Sequence, residues 1–546
     1  MFRLAPYLGH NTFLDQRRLF AAPGYFLRNV FGNNSVSDNI GLSGTVLIRC
    51  DVPGQELTLT GILSGSGVLT KSGDGTLAIN GDNAYSGDTN IHGGSLTIGH
   101  NNALGTGTLR IGVQATVSIS STLFGLTIPN NVVTGGYPTI IGGSRYFSFA
   151  GTFSFAVNPS PGITINNYDT TYFEGPVVLS TTTSGNATAI INGTGNVTIL
   201  GDMTDGPRTG GMAFRYSGTG LILLAGTNSY TGATTISGGT LRLVDAPSMS
   251  SGPGSLTLSG VAPILQLYGD TGQTFNTSKT ISFTSANPTA TIDLLGAGSN
   301  QTHTIGNIAA NPSAGTSSLV ITGSNGYGLT MGDLAFTGGN TTTRNMVNNA
   351  EGLWTIGAIS DDAGIFTCTL GFSGTGNIRV TGAISDSNPS SGLLHVIKSG
   401  TNTLTLEGAN TYDGNTTISG GTLGGTGFVT SNVTVQNNAG CTLRGGTGAG
   451  NAGTFTSSGT LTFAGSNGRL AVGIGSTTTH SGVAFSGAVA LGGMTVNFDA
   501  DALDAGTYTL ITGSSMAGTV VQGTAPTGRT WTSLGIVGSN LVAVLA

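Results

Sequence analysis

The sequence predicts an all-β repeat protein, a β-solenoid, and three observations carry that reading. Glycine supplies 93 of the 546 residues, with no collagen-like period of three. Only 8% of residues are charged. Glu and Lys, which normally populate helix surfaces, are reduced to Glu56, Glu174, Glu351 and Glu407 and to Lys71, Lys279 and Lys398. Finally, a phrase with the frame G-x-N-x-Y-x-G-x-x-x-I-x-G-G-x-L occurs three times without insertion. The 38% apolar content and regular alternation argue against disorder.

The first copy of the phrase carries Gly81, Asn83, Tyr85, Gly87, Ile91 and the pair Gly93-Gly94 before Leu96. The second carries Gly226, Asn228, Tyr230, Gly232, Ile236 and Gly238-Gly239 before Leu241. The third carries Gly408, Asn410, Tyr412, Gly414, Ile418 and Gly420-Gly421 before Leu423. Upstream, Lys71-Ser72-Gly73 and Lys398-Ser399-Gly400 hold equivalent places, and Tyr216-Ser217-Gly218 takes that place in the second copy. The apolar pairs Leu77/Ile79, Ile222/Leu224 and Leu404/Leu406 follow. Each pair reads as a short strand with one face inward. Asn suits a turn because it bonds nearby backbone and tolerates positive φ. The lone Ile marks a second strand, and Gly-Gly turns the chain without steric cost. The unit is one coil of a β-solenoid or one blade-like repeat.

On these residues the phrase resembles the passenger-associated transport repeat of autotransporters, also called the autotransporter-associated β-strand repeat. The resemblance implies a right-handed parallel β-helix of the kind found on bacterial and virion surfaces. It carries no catalytic residues.

Three domains are expected: 1–40, a docking or capping segment; 41–465, the solenoid; 466–546, a C-terminal β-strand cap. The first segment is rich in Arg and aromatics, as docking surfaces are, with Arg17, Arg18, Phe20, Tyr25 and Phe26 as candidate docking residues. The alternative is a cap over the first coil. No signal-peptide pattern is evident at this end, which points to assembly into a virus particle or to signal-independent secretion. Along 41–465, alternating pairs such as Val46/Ile48, Leu57/Leu59 and Leu109/Ile111 recur between Gly and Asn turns. At roughly 20–25 residues per rung and about 4.8 Å between strands, this region would make a rod on the order of 90 Å long. Residues 131–215 are more aromatic, with Tyr146, Phe147, Phe149, Phe153, Phe155, Tyr168, Tyr172 and Phe173. They read as aromatics stacked inside the coil, with an exposed sugar-binding face as the rival. From Leu470 onward the strands look antiparallel.

Chemistry is sparse. The acidic candidates Asp361-Asp362, Asp386 and Asp499/Asp501/Asp504 read as solvated turn residues rather than as a catalytic or Ca²⁺ cluster. The six His lie far apart, and neither His92 nor His100 has an evident carboxylate partner. Cys50, Cys368 and Cys441 are scattered, without metal spacing. No cofactor, metal or nucleic acid is expected, and no apolar run is long enough for a membrane-spanning helix. The expected function is non-enzymatic: a structural or adhesive rod on a virion surface, such as a fibre or spike, that contacts host glycans. It would associate with other assembly proteins and, by analogy, with itself as a trimer. A bacterial cell-surface autotransporter-like adhesin is the alternative, and a tailspike-like polysaccharide-degrading enzyme the second.

Overall fold

The computed structural model describes residues 2–4, 19–21, 26–112, 117–121, 125–135, 139–143, 145–156, 162–184, 188–245, 254–260, 262–275, 277–284, 289–311, 315–337, 341–361, 367–386, 393–448, 451–499 and 501–546. Every regular element among them is a β-strand. No helix among the described residues is long and apolar enough to cross a membrane. The chain forms two compact units, Met1–Thr257 and Leu258–Ala546.

In the first unit successive strands enter different sheets, and each strand pairs in parallel with strands one coil earlier and one coil later. Glu56–Leu59, Thr76–Ile79 and Ser95–Ile98 are stacked in this way, Leu57 opposite Leu77 and Leu77 opposite Leu96. A second face runs from Phe2–Leu4 through Phe26–Asn29, Thr45–Cys50 and Val68–Ser72. Parallel coil pairing therefore already includes strands upstream of residue 41. Arg17, Arg18 and Tyr25 lie outside the described residues, and so do the side chains of Phe20 and Phe26.

The second unit repeats the plan. Trp354–Ile356, Ile378–Val380, Thr403–Leu406, Thr422–Gly425 and Thr442–Arg444 form one parallel face. The sequence predicts antiparallel strands from Leu470; the structure instead continues in parallel. Arg469–Val472 pairs with Met494–Phe498, and Thr454–Ser457 with Gly482–Phe485. Apart from the small hairpin of Ile474–Ser476 and Thr479–His480 and the isolated bridges Gly425 to Gly446 and Gly448 to Asn451, antiparallel pairing among the described residues begins at Gly506–Thr512. That strand joins Asn540–Leu545, which in turn pairs with Trp531–Val537.

Alternation explains the core. Along Thr45–Cys50, Val46, Ile48 and Cys50 are buried while Thr45 and Arg49 are exposed. Register then places apolar side chains above apolar side chains, each burial stabilising by about 1.5–3 kcal/mol. The three phrase copies make short coils. Thr76 pairs with Ser95, Leu221 with Thr240 and Thr403 with Thr422, 19 residues on in each case. Elsewhere coils are wider: Thr289 pairs with Ser318, 29 residues on.

Candidate functional site

The phrase residues face inward and hold the backbone. Tyr85, Tyr230 and Tyr412 are at most 1% exposed. Each hydroxyl shares a hydrogen bond with the threonine four residues on: Thr89 at 2.5 Å, Thr234 at 2.5 Å and Thr416 at 2.6 Å. Burial pushes the Tyr85 phenol upward and that of Tyr412 to about 12, so both stay neutral. The asparagines bridge coils. Asn83 Oδ1 accepts from the Leu63 amide at 2.7 Å, and its Nδ2 donates to the Ala103 carbonyl at 2.7 Å. Asn410 does the same with the Ile384 amide at 2.8 Å and the Phe428 carbonyl at 3.0 Å. Asn228 accepts from the Met203 amide at 3.0 Å. Ile91, Ile236 and Ile418 are buried beside them.

Positive φ falls not on these asparagines but on the second glycine of each pair: Gly94 at 65°, Gly239 at 64° and Gly421 at 65°. Gly87, Gly232 and Gly414 answer a different need. A Cβ there would stand 2.2 Å from the Gly67 oxygen, 2.4 Å from the Met212 carbonyl carbon and 2.4 Å from the Leu394 oxygen. The neighbouring coil leaves no room for a side chain. Gly81, Gly226 and Gly408 are equally crowded, by the carbonyl oxygens of Gly61, Gly201 and Gly382.

The lysines upstream of the phrase are also internal. Lys71 Nζ donates to the carbonyls of Gly73 and Gly93, both at 2.6 Å. Lys398 Nζ donates to Ser399 O at 2.5 Å and Gly420 O at 3.1 Å. Burial lowers each ammonium to about 8, against a smaller opposing pull from Cys50 and Cys441 respectively. The cysteines are buried and free.

The aromatic region divides between inside and outside. Phe147, Phe149, Phe153, Phe155 and Phe173 are core residues, with Phe149 stacked on Phe173 at 5.4 Å. Tyr168 is 90% exposed, and Tyr146 packs edge-on to Tyr172 at 6.0 Å.

The acidic candidates do not gather into one cluster; among the described residues only Asp361 and Asp386 stand side by side. Asp361 is buried and paired with the buried Arg344 at 3.0 Å, and that guanidinium lies 4.7 Å from the Phe336 ring. Asp361 is thus an interior residue rather than the solvated turn residue expected; Asp362 lies outside the described residues. Asp386 is the register partner of Asp361 one coil on. Asp499 pairs with Arg444, and Asp504 approaches Arg529 at 3.7 Å. His100 does have a carboxylate neighbour, Asp82 at 3.7 Å, which sequence spacing did not reveal. Among the described residues no group of three or more His, Cys, Asp or Glu could hold a metal ion.

The second unit has a cleft of about 620 Å³ on its outer face. Arg379, Thr405 and Gly424 follow one another on successive strands in register. Arg444 comes next, its Cβ 3.2 Å from where a Cβ on Gly424 would stand. Asn377, Thr403 and Leu353 line the adjoining wall. Arg379 makes a bidentate pair with Glu407 at 3.0 and 2.9 Å. Arg444 pairs with Asp499, while its buried Nε has no hydrogen-bond partner among the described residues. Neither carboxylate is part of the cleft lining, and they are 17% and 18% exposed. Sequence reasoning missed this site. Its one signal is the alternation that turns Arg379 outward between Ile378 and Val380.

The passenger-associated-transport-repeat family matches residues 69–98, 214–243 and 396–424. The chain is also similar to the Adhesin BmaC autotransporter of Brucella suis biovar 1 (strain 1330), with 28% identity over 321 residues. That alignment covers 51% of this chain and 9% of the relative, so the chain corresponds to a small fraction of the relative's length. No solved structure matches the chain. Those three matched stretches are the ones whose Tyr–Thr pairs, bridging asparagines and left-handed glycines close the short coils, and the chain is accordingly a parallel β-solenoid built around three passenger-associated transport repeats.

Proposed function

We propose that this chain is adhesive, non-enzymatic passenger material displayed on a bacterial cell surface. The observation that carries the reading is the threefold passenger repeat, matched both in sequence and in coil geometry. Similarity to an autotransporter adhesin supports it. Both findings favour the cell-surface alternative raised from the sequence over the virion fibre preferred there. The pairing of Asp361, Asp499 and Asp504 with arginines agrees with a binding rather than a hydrolytic role.

The test is display. The chain is fused between an export signal and a heterologous outer-membrane translocator, and surface exposure is checked by protease shaving. Adherence of these cells to a host-cell layer should rise several-fold over cells displaying the translocator alone. A chain that reaches the surface and leaves adherence unchanged overturns the proposal.

A further inference from the structure

We infer that the cleft between Arg379 and Arg444 binds an extended acidic glycan, a saccharide chain carrying carboxylates. The inference rests on the adhesive reading and gives it a site and a ligand class.

The lining presents donors and hydroxyls: Arg379, Arg444, Asn377, Thr403 and Thr405. Its complement must therefore be rich in acceptors. Arg379 uses two of its five N–H groups on Glu407 and keeps the others for a ligand. Arg444 also lines the cleft and commits one terminal nitrogen to Asp499, leaving its other terminal N–H groups as donors. The planar guanidinium fork matches a carboxylate, and a fork already fixed by Glu407 or Asp499 loses little freedom on binding.

Shape points to a chain rather than a single sugar. Arg379 and Arg444 stand three strands apart along the stack, roughly 14 Å at the usual strand spacing. Between them the floor drops at Gly424, where a Cβ would crowd Arg444 Cβ at 3.2 Å and Gly446 O at 3.3 Å. Leu353, 42% exposed at the rim, offers an apolar patch for the C–H face of a sugar ring.

Calorimetric titration of the full chain with an oligogalacturonate, and with its carboxyl-reduced neutral counterpart, tests the site. The acidic oligomer should bind, and the neutral one should bind at least about tenfold more weakly, about 1.4 kcal/mol. Arg379→Ala and Gly424→Val should each weaken binding by a similar factor, while Tyr168→Ala, in the other unit, should leave it unchanged. Thermal melting reports whether Gly424→Val folds; Arg379→Ala, at an exposed strand position, keeps the test independent of that. Monomeric galacturonate should not compete. Equal binding of the neutral oligomer, no binding of the acidic one, or an unaffected Arg379→Ala overturns the inference. On displaying cells, adherence that survives Arg379→Ala overturns this site and leaves the adhesive reading standing. Acidic-oligomer binding without any adherence overturns the adhesive reading and leaves the site standing.

Discussion

Lys71 and Lys398 show how a single side chain can hold a corner. Each caps carbonyls that face inward at the turn, so Lys71→Met would leave the Gly73 and Gly93 oxygens without their donor. A loss of about 1–3 kcal/mol is expected, read as a lowered urea midpoint. The same residues predict a pH dependence. Burial lowers their ammonium groups from 10.5 to about 8. Below about 8 the folded and unfolded chains are both protonated, and the contribution does not change with pH. Between about 8 and 10.5 the unfolded chain binds protons that the folded chain has released, so stability rises with pH. The thiols act in the opposite sense. Burial raises Cys50 from 9.0 to about 11 and Cys368 to about 12, so above 9.0 the unfolded chain ionises first and stability falls. The urea midpoint should climb from pH 8 to about 9, level off while the thiols offset the lysines, and fall above about 10.5. The double variant Lys71→Met/Lys398→Met should show the fall without the climb; a climb that persists would assign it to other groups.

The coil is the next scale, and here glycine position decides tolerance. Gly87→Ala puts a methyl 2.2 Å from the Gly67 oxygen and must push neighbouring coils apart, whereas a Cβ at Gly535 meets nothing within 4 Å. The first substitution should cost more than about 3 kcal/mol and the second less than about 0.5 kcal/mol by urea unfolding. Comparable losses at both would mean that the coils give way easily. Much of this scale was legible in the sequence. Leu77/Ile79, Ile222/Leu224 and Leu404/Leu406 alternate with period two, and the Gly-Gly pairs mark the corners. Coil width was not legible, because alternation says nothing about how many residues separate stacked strands. Nor was the direction of Arg469–Val472 and Met494–Phe498, since parallel and antiparallel strands share one alternation. The depth of Lys71 and Arg344 stayed hidden because long cationic side chains default to the surface. The cleft escaped for a related reason. Arg444 and Asp499 lie 55 residues apart, and only coil stacking brings them together.

For the molecule, the passenger repeats fall twice within Met1–Thr257 and once within Leu258–Ala546. In the second unit, Gly506–Thr512 pairs in parallel with Gly482–Phe485 and antiparallel with Asn540–Leu545, so the last segment covers a parallel edge. Deleting residues 506–546 should bare that edge and cause association, seen as rising light scattering on concentration. A monodisperse truncated chain would show that the edge is protected in some other way. The buried lysines have a practical counterpart. Lys71, Lys279 and Lys398 are the only lysines in the chain, and none is more than 5% exposed. An amine-acylating reagent therefore finds no lysine side chain in the native protein, and each acylation records a moment when that coil stood open. Mass spectrometry of the three sites would read local opening at three separate positions along the chain, without a label having to be engineered in.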